Sequence, residues 1–119
     1  MFVFEAVLTF LLIKHYLFDF VFQTDRMIQD KSVYGRLWGL AHSLLHGLGT
    51  FIVLMIYGIK LALILAVIES LLHYHIDWIK VRWGCRDIKK PAYWNHFGLD
   101  QLAHGLTYVF IAGVIVRSL

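Results

Sequence analysis

The sequence predicts an all-helical integral membrane protein, an antiparallel bundle of four helices that forms one domain over residues 1–119. Hydrophobic residues make up 60% of the chain and charged residues only 16%, whereas soluble domains have roughly 45–50% and 25%. A domain this small has too little interior to bury so much apolar surface. The apolar residues also fall into four segments of about 20 residues, the length that crosses the hydrocarbon core as a helix.

The four predicted spans cover residues 2–23, 37–58, 61–82 and 95–116. The first connection, TDRMIQDKSVYGR, is polar and long enough for a short interfacial helix, whereas the second, YGIK, is a tight turn. The third connection, WGCRDIKKPAYW, contains the only proline, Pro91, and aromatic residues that suit the headgroup zone. Small residues within the spans are expected to permit close contact between helices; they are Gly47, Gly49, Gly105 and Gly113.

Most basic residues lie on one side of the predicted bundle. The first and third connections, with the adjoining ends of the spans, carry eight lysines and arginines, and the opposite side carries only Lys60 and Arg117. By the positive-inside rule, the basic side faces the cytoplasm and both termini lie outside it. The basic residues are few and flank apolar runs, so membrane lipids, and not nucleic acid, are the expected partners. The composition leaves the oligomeric state open. Because Cys85 is the single cysteine, an internal disulfide is excluded.

Polar residues inside the spans fall at two depths, counted from the basic ends of the spans. The shallower layer lies four or five residues in and consists of Asp19, His42, Asp77 and Asp100. The deeper layer lies eight or nine residues in and consists of one histidine per span, His15, His46, His73 and His104. At 1.5 Å per residue, the layers are about 6–8 Å and 12–14 Å deep. Each span therefore contributes one residue to each layer, in the alternating order that antiparallel helices require.

Ionisable groups inside a membrane span are costly and by default indicate a function. Imidazole and carboxylate groups are typical ligands of zinc, iron and manganese, and we expect a divalent metal, zinc before iron or manganese. A catalytic zinc takes about three protein ligands and keeps a position for water, although eight ligand-type groups are also enough for two metals. The predicted metal ligands are His15, His42, His46, His73, Asp77 and His104.

The remaining polar residues are expected to support such a metal. Asp19 and Asp100 flank the cytoplasmic mouth, where either can act as the base that accepts a proton from metal-bound water. Three further residues, Gln23, Glu69 and Gln101, are expected to orient the ligands through hydrogen bonds. Lys14 either extends to the interface or pairs with Glu69, and extension is the commoner behaviour of a lysine in a span.

Four motifs, HYLFDFVFQ, HSLLH, HYHIDWIK and DQLAH, resemble those of the domain of unknown function 3307 family, small four-span membrane proteins of bacteria and their phages. The resemblance covers nearly the whole chain and implies the four-span fold and a location in the bacterial inner membrane, but no activity. Phe18, directly before the first aspartate, stands where family members often have a small residue, commonly glycine. The motif residues are His15, Asp19, Gln23, His42, His46, His73, Asp77, Asp100, Gln101 and His104. The distribution of these histidines and aspartates over several helices is also broadly similar to that in other membrane metal-dependent hydrolases, and this second likeness is an analogy only.

The favoured function is metal-dependent hydrolysis of a lipid-like or membrane-embedded substrate near the cytoplasmic leaflet, with the metal activating a water molecule. One alternative is a module that binds or transports metal ions or protons. Another is a non-catalytic phage or envelope protein in which the polar residues only stabilise the fold. Haem held by two of the histidines also remains open, although three nearby carboxylates are poor neighbours for a porphyrin. The outer halves of the spans are mostly apolar, which favours a one-sided site over a transport path.

Overall fold

A computed structural model of the chain describes residues 2–119, and its regular elements in that range are all helices. The elements in chain order are α1 (Val3–Tyr16), a π-helical turn (Leu17–Val21), α2 (Asp25–Asp30), α3 (Leu37–Leu54), a 3-10 turn (Met55–Tyr57), α4 (Ile59–Trp83) and α5 (Pro91–Ser118). The all-helical class predicted from the sequence is therefore confirmed. Helix α1 packs mainly against α3 and α5, α4 packs mainly against the same two helices, and α2 packs against α3.

Three helical stretches are long and apolar enough to cross a membrane, Leu37–Tyr57, Ile59–Trp83 and Pro91–Ser118. The molecule measures 45 Å along its longest axis, comparable to a bilayer with its headgroup regions, which is about 40–45 Å thick. Apolar side chains are exposed along these helices, including Leu44 at 65% and Leu106 at 58%. A soluble monomer rarely exposes such extensive apolar surface, so this surface fits a membrane protein.

Helix α1 is shorter and ends in irregular hydrogen bonding. Its 14 residues continue into the five-residue π turn, where the Phe22 amide donates to the Leu17 carbonyl oxygen at 2.8 Å. This bond reaches back five residues instead of four, which is the defining feature of a π turn. Such turns are frequent at functional sites, and this one contains Asp19.

The helix ends follow local sequence rules. Helix α5 begins at Pro91, four residues before the predicted span, because proline has a helical φ and lacks the amide hydrogen that a first turn leaves unpaired. The short helix anticipated in the first connection is α2, and the Thr24 hydroxyl accepts a hydrogen bond from the Met27 amide at its start. Gly58 forms the tight turn between α3 and α4 with a φ of 134°, which residues with a side chain rarely adopt.

An apolar core fills the half of the protein away from the basic connections. Its fully buried members are Val7, Leu11, Leu54, Ala62, Leu65, Tyr108, Ile111, Ala112 and Ile115. Toward the polar half, Gly47 allows α3 to approach α4, since a Cβ atom there would lie 1.9 Å from Ser70 Oγ. Gly49 similarly faces the Lys14 side chain. The expectation of close contact is wrong for Gly105, where a Cβ atom would meet none of the described atoms within 4 Å.

Candidate metal centre

The residues of both predicted layers meet in one buried cluster at the centre of the helices. Each helix contributes two residues spaced four apart, and this spacing places both on one helix face. The eight side chains are at most 8% exposed. They are His15 and Asp19 from α1 and its π turn, His42 and His46 from α3, His73 and Asp77 from α4, and Asp100 and His104 from α5.

Asp19 lies at the centre of this cluster. Its Oδ1 atom is 2.9 Å from His42 Nε2, 3.0 Å from His46 Nε2 and 3.5 Å from His73 Nε2. Its Oδ2 atom is 3.3 Å from His15 Nε2. The Nε2 atoms of His42 and His73 are themselves only 3.2 Å apart. Three imidazole nitrogens and one carboxylate oxygen therefore converge on a small volume.

These separations match the edges of a metal coordination shell. Metal–ligand bonds of about 2.0–2.1 Å place the ligand atoms of a tetrahedral site about 3.3 Å apart, and the separations around Asp19 Oδ1 run from 2.9 to 3.5 Å. Asp19, His42, His46 and His73 can each offer one ligand atom within 4.8 Å of the others. The donor set, three imidazoles and one carboxylate, suits zinc and related divalent cations.

A second group of ligand atoms adjoins the first. Asp19, His73, Asp77 and His104 also lie within mutual ligand distance, as do His15, His73 and His104. Asp77 Oδ1 is 3.3 Å from His104 Nε2, and Asp77 Oδ2 is 3.3 Å from His73 Nε2. Because Asp19 and His73 belong to both four-residue groups, the cluster can hold one ion in alternative positions or two ions that share Asp19.

Glu69 lies next to the cluster on its deeper side. Its Oε1 atom is 3.7 Å from His46 Nδ1 and 3.8 Å from His73 Nδ1, and neither nitrogen has a hydrogen-bond partner among residues 2–119. A carboxylate beside Nδ1 favours the tautomer that carries its hydrogen there. That tautomer leaves the Nε2 lone pairs free to bind a metal, the orienting role expected for Glu69.

Hydrogen bonds to His15 favour the same tautomer. The Tyr108 hydroxyl donates to Glu69 Oε1 at 3.1 Å, so the 2.9 Å contact between Tyr108 and His15 Nδ1 requires the hydrogen on Nδ1. The Nε2 lone pair then faces Asp19 Oδ2 at 3.3 Å and Gln101 Oε1 at 3.2 Å. Two oxygen acceptors around a nitrogen lone pair form a position suited to a cation.

The two glutamines have different surroundings. Gln101 contacts the cluster on two sides, because its amide nitrogen also donates to Asp100 Oδ2 at 3.0 Å. Gln23 is further out, and its amide nitrogen donates to the backbone oxygen of Asp19 at 2.8 Å. Gln23 therefore supports the π turn, whereas Gln101 is placed to orient His15 and Asp100.

The expectation that Lys14 extends to the membrane interface is wrong. The side chain is 6% exposed, and its ammonium group donates to the His46 carbonyl oxygen at 3.1 Å, Thr50 Oγ1 at 3.1 Å and Glu69 Oε1 at 3.0 Å. Three acceptors satisfy the three ammonium hydrogens, so the lysine has no need of interfacial water. The Thr50 hydroxyl in turn donates to Glu69 Oε2 at 3.2 Å.

Two further lysines contact the site although the sequence suggested only a topological role for them. Lys31, in the turn after α2, lies 2.7 Å from Asp77 Oδ2, and Lys80 lies 3.6 Å from Asp100 Oδ2. No local spacing relates Lys31 to Asp77, so sequence periodicity could not have found this contact. In the part of the chain that the structure describes, the ion-pair partners of Asp19 are histidines alone.

A cavity of about 340 Å³ between α4 and α5 reaches the cluster at Asp100. Asp100 Oδ1 lies 3.6 Å from His104 Nε2 and has no hydrogen-bond partner within the described range. Apart from Asp100, Lys80 and His96, the cavity lining is made of apolar side chains and one glycine. Asp100 therefore lies between this opening and the metal-ligand groups.

Comparison with known proteins identifies one family. The family model described as "Protein of unknown function (DUF3307)" matches residues 7–119, which confirms the resemblance seen in the four motifs. No curated protein and no solved structure matches the chain.

Proposed function

The chain belongs to the DUF3307 family, and we propose that it is a membrane metalloenzyme that hydrolyses a lipid-like or membrane-embedded substrate near the cytoplasmic leaflet. In this proposal, α1 and its π turn form a fourth span beside α3, α4 and α5 in the bacterial inner membrane. The basic connections face the cytoplasm and both termini lie outside it. The placement of Asp19 among histidines carries the proposal.

The surroundings of Asp19 favour a bound cation. The side chain is 8% exposed, and burying a carboxylate without a positive partner is costly. A divalent metal between Asp19 Oδ1 and the Nε2 atoms of His42, His46 and His73 would supply that charge and bind the nitrogen lone pairs. Zinc is the first candidate because three nitrogens and one oxygen suit its tetrahedral preference. We therefore assign Asp19 to metal binding, in place of the base role expected from the sequence.

Asp100 is the residue best placed to act as the base. A bound metal would supply an activated water, and a base must reach that water without being tied to the ion. Asp100 lines the cavity, lies beside His104 and is held by Gln101 at 3.0 Å. Glu69 and Tyr108 orient the histidines from the deeper side, while Lys31 offsets the charge of Asp77.

Transport is the alternative that the structure favours less. A carrier needs a polar path to the far side of the membrane. Beyond Lys14, Thr50, Glu69 and Tyr108, the buried described residues form the apolar core that contains Leu11 and Ile111. A site closed on its deeper side and open to a lateral cavity suits an enzyme that takes its substrate from the bilayer.

The test combines elemental analysis of detergent-purified protein with a hydrolysis screen on phospholipids, lipid amides and polyprenyl phosphates. Wild type should carry at least about one zinc, iron or manganese ion per chain. His46→Ala should lose most of that metal, whereas His75→Ala should keep it, because His75 contacts Tyr34 at 2.9 Å and lies outside the cluster. Asp100→Asn should keep the metal and lose hydrolysis.

Each half of the proposal has its own contradicting result. Metal content that is equal in wild type and His46→Ala would reject the metal centre and favour a purely structural network. A metal-loaded wild type that hydrolyses none of the substrates, yet moves metal ions or protons into liposomes, would replace hydrolysis by transport. Hydrolysis that survives in Asp100→Asn would reject Asp100 as the base.

A further inference from the structure

Two neighbouring cavities lie where α4 ends and α5 begins, next to the third connection. The first, of about 340 Å³, is lined mainly by apolar side chains and is called here the apolar cavity; these side chains are Ile76, Ile79, Trp83, Leu99 and Ala103. The second, of about 270 Å³, is called the basic cavity because Lys80, Arg86 and His96 line it. Lys80 and His96 line both cavities, so the two adjoin each other, and together they are called here the groove.

The polar groups of the basic cavity are arranged as hydrogen-bond donors. His96 Nδ1 accepts the Cys85 amide hydrogen at 2.8 Å, so a neutral His96 carries its own hydrogen on Nε2. Arg86 uses one nitrogen to donate to the Val81 carbonyl oxygen at 3.2 Å, and its remaining guanidinium hydrogens are available. The described residues that line this cavity include no carboxylate. Lys80 faces Asp100 in the neighbouring cavity, but Arg86 has no ion-pair partner among residues 2–119, so the cavity keeps a positive charge that is complementary to an anion.

We propose that the groove binds an anionic, phosphate-bearing lipid, with the phosphate in the basic cavity and one hydrocarbon chain in the apolar cavity. Arginine and lysine are the usual phosphate ligands of proteins, and the apolar cavity falls within the range of about 300–1,000 Å³ typical of ligand sites. Basic residues just inside the cytoplasmic surface also attract anionic lipids electrostatically. A zwitterionic lipid would bring its own cation toward Lys80 and Arg86 and bind less well.

The groove connects this lipid to the metal-ligand cluster. Lys80 stands between the two cavities and lies 3.6 Å from Asp100 Oδ2, while Asp100 itself lines the apolar cavity. The lipid segment that joins phosphate to hydrocarbon would therefore pass Asp100. This inference rests on the proposed function and names its substrate class, a lipid with a phosphate at the headgroup. Binding in the groove does not itself require the metal.

The experiment measures lipid binding to the full-length, chelator-treated protein by native mass spectrometry from detergent micelles. Phosphatidylglycerol and phosphatidylcholine with identical chains are titrated separately. Wild type should bind phosphatidylglycerol at least about tenfold more tightly, which corresponds to about 1.4 kcal/mol. Lys80→Gln and Arg86→Gln should each reduce that preference severalfold, whereas Lys60→Gln, at the far turn, should leave it unchanged.

A second variant tests the hydrocarbon part of the groove. Ala103→Phe should fill the apolar cavity and weaken the binding of both lipids about tenfold. Leu102→Phe is the matched control, because Leu102 is 56% exposed and does not line either cavity. Helical content by circular dichroism confirms that each variant is folded before its binding is compared.

Three results would overturn the proposal. The first is equal binding of the two lipids by wild type, and the second is a preference that persists in both Lys80→Gln and Arg86→Gln. The third is displacement of phosphatidylglycerol by glycerol 3-phosphate at matched concentration, which would indicate a site for a soluble anion. The lipid-binding assay uses metal-free protein, so its result does not depend on hydrolysis. If the metal-free protein binds phosphatidylglycerol selectively but the metal-loaded protein hydrolyses no substrate, the proposed hydrolase activity is rejected and the proposed lipid site stands.

Discussion

Removing the positive charge of Lys14 should destabilise the protein because Glu69 would remain buried as an uncompensated carboxylate. The two groups are 3.0 Å apart, and their side chains are 6% and 1% exposed. In Lys14→Met, Glu69 would keep hydrogen bonds from the Thr50 hydroxyl at 3.2 Å and the Tyr108 hydroxyl at 3.1 Å. Glu69 would lose the ammonium group that balances its charge. In the reciprocal variant, Glu69→Gln, Lys14 would lose its counter-ion.

The size of the effect follows from the burial of both partners. Breaking a buried ion pair from one side costs about 3–5 kcal/mol. Because two hydroxyl donors remain on Glu69, and an amide oxygen remains near Lys14 in the other variant, we expect the lower end, about 3 kcal/mol for each single variant. The double variant Lys14→Met/Glu69→Gln buries no net charge and should lose no more than either single variant. The coupling energy is then at least about 3 kcal/mol in magnitude.

The assay is equilibrium unfolding in mixed micelles with increasing SDS, followed by far-ultraviolet circular dichroism. A chelator is present throughout, so that metal binding does not contribute to the free energy of unfolding. Lys60→Met removes an exposed lysine and should stay within about 0.5 kcal/mol of wild type. If the double variant instead loses the sum of the single losses, about 6 kcal/mol, the two groups are not paired and the reasoning is refuted.

Two further predictions concern topology and helix packing. In intact bacteria, Cys85 should resist a membrane-impermeant maleimide and react after permeabilisation, with Cys85→Ser as the unlabelled control; rapid labelling of intact cells would reverse the proposed orientation. Gly47→Ala should destabilise the protein by about 1–3 kcal/mol, because its Cβ atom would lie 1.9 Å from Ser70 Oγ and 2.9 Å from the Ala66 backbone oxygen, which cannot rotate away. Gly105→Ala meets no described atom within 4 Å, so in the same unfolding assay its stability should be unchanged or higher by about 0.5–1 kcal/mol. Equal stabilities of the two variants would contradict the close approach of α3 to α4.

The sequence by itself determined the helical class and the placement of each polar pair on its own helix. Long apolar segments leave the backbone no alternative to helix within a bilayer, and a spacing of four residues, as in His73 and Asp77, places both side chains on one face by helix geometry alone. These properties depend only on the rise and rotation per residue within one helix. They can therefore be predicted without knowing how the helices pack against each other.

Only the tertiary structure decided which pairs share ligand atoms and which residue occupies the centre. Asp19 contacts histidines from three helices because α1, α3 and α4 converge around it, and the sequence periodicity predicts neither that convergence nor the π turn that contains Asp19. Lys14 is buried because α3 and α4 bring three acceptors to it, and Lys31 reaches Asp77 through the fold of a connection. Such contacts depend on the axial shift and rotation between helices, which are set by packing across interfaces such as that at Gly47, and sequence spacing does not contain that information.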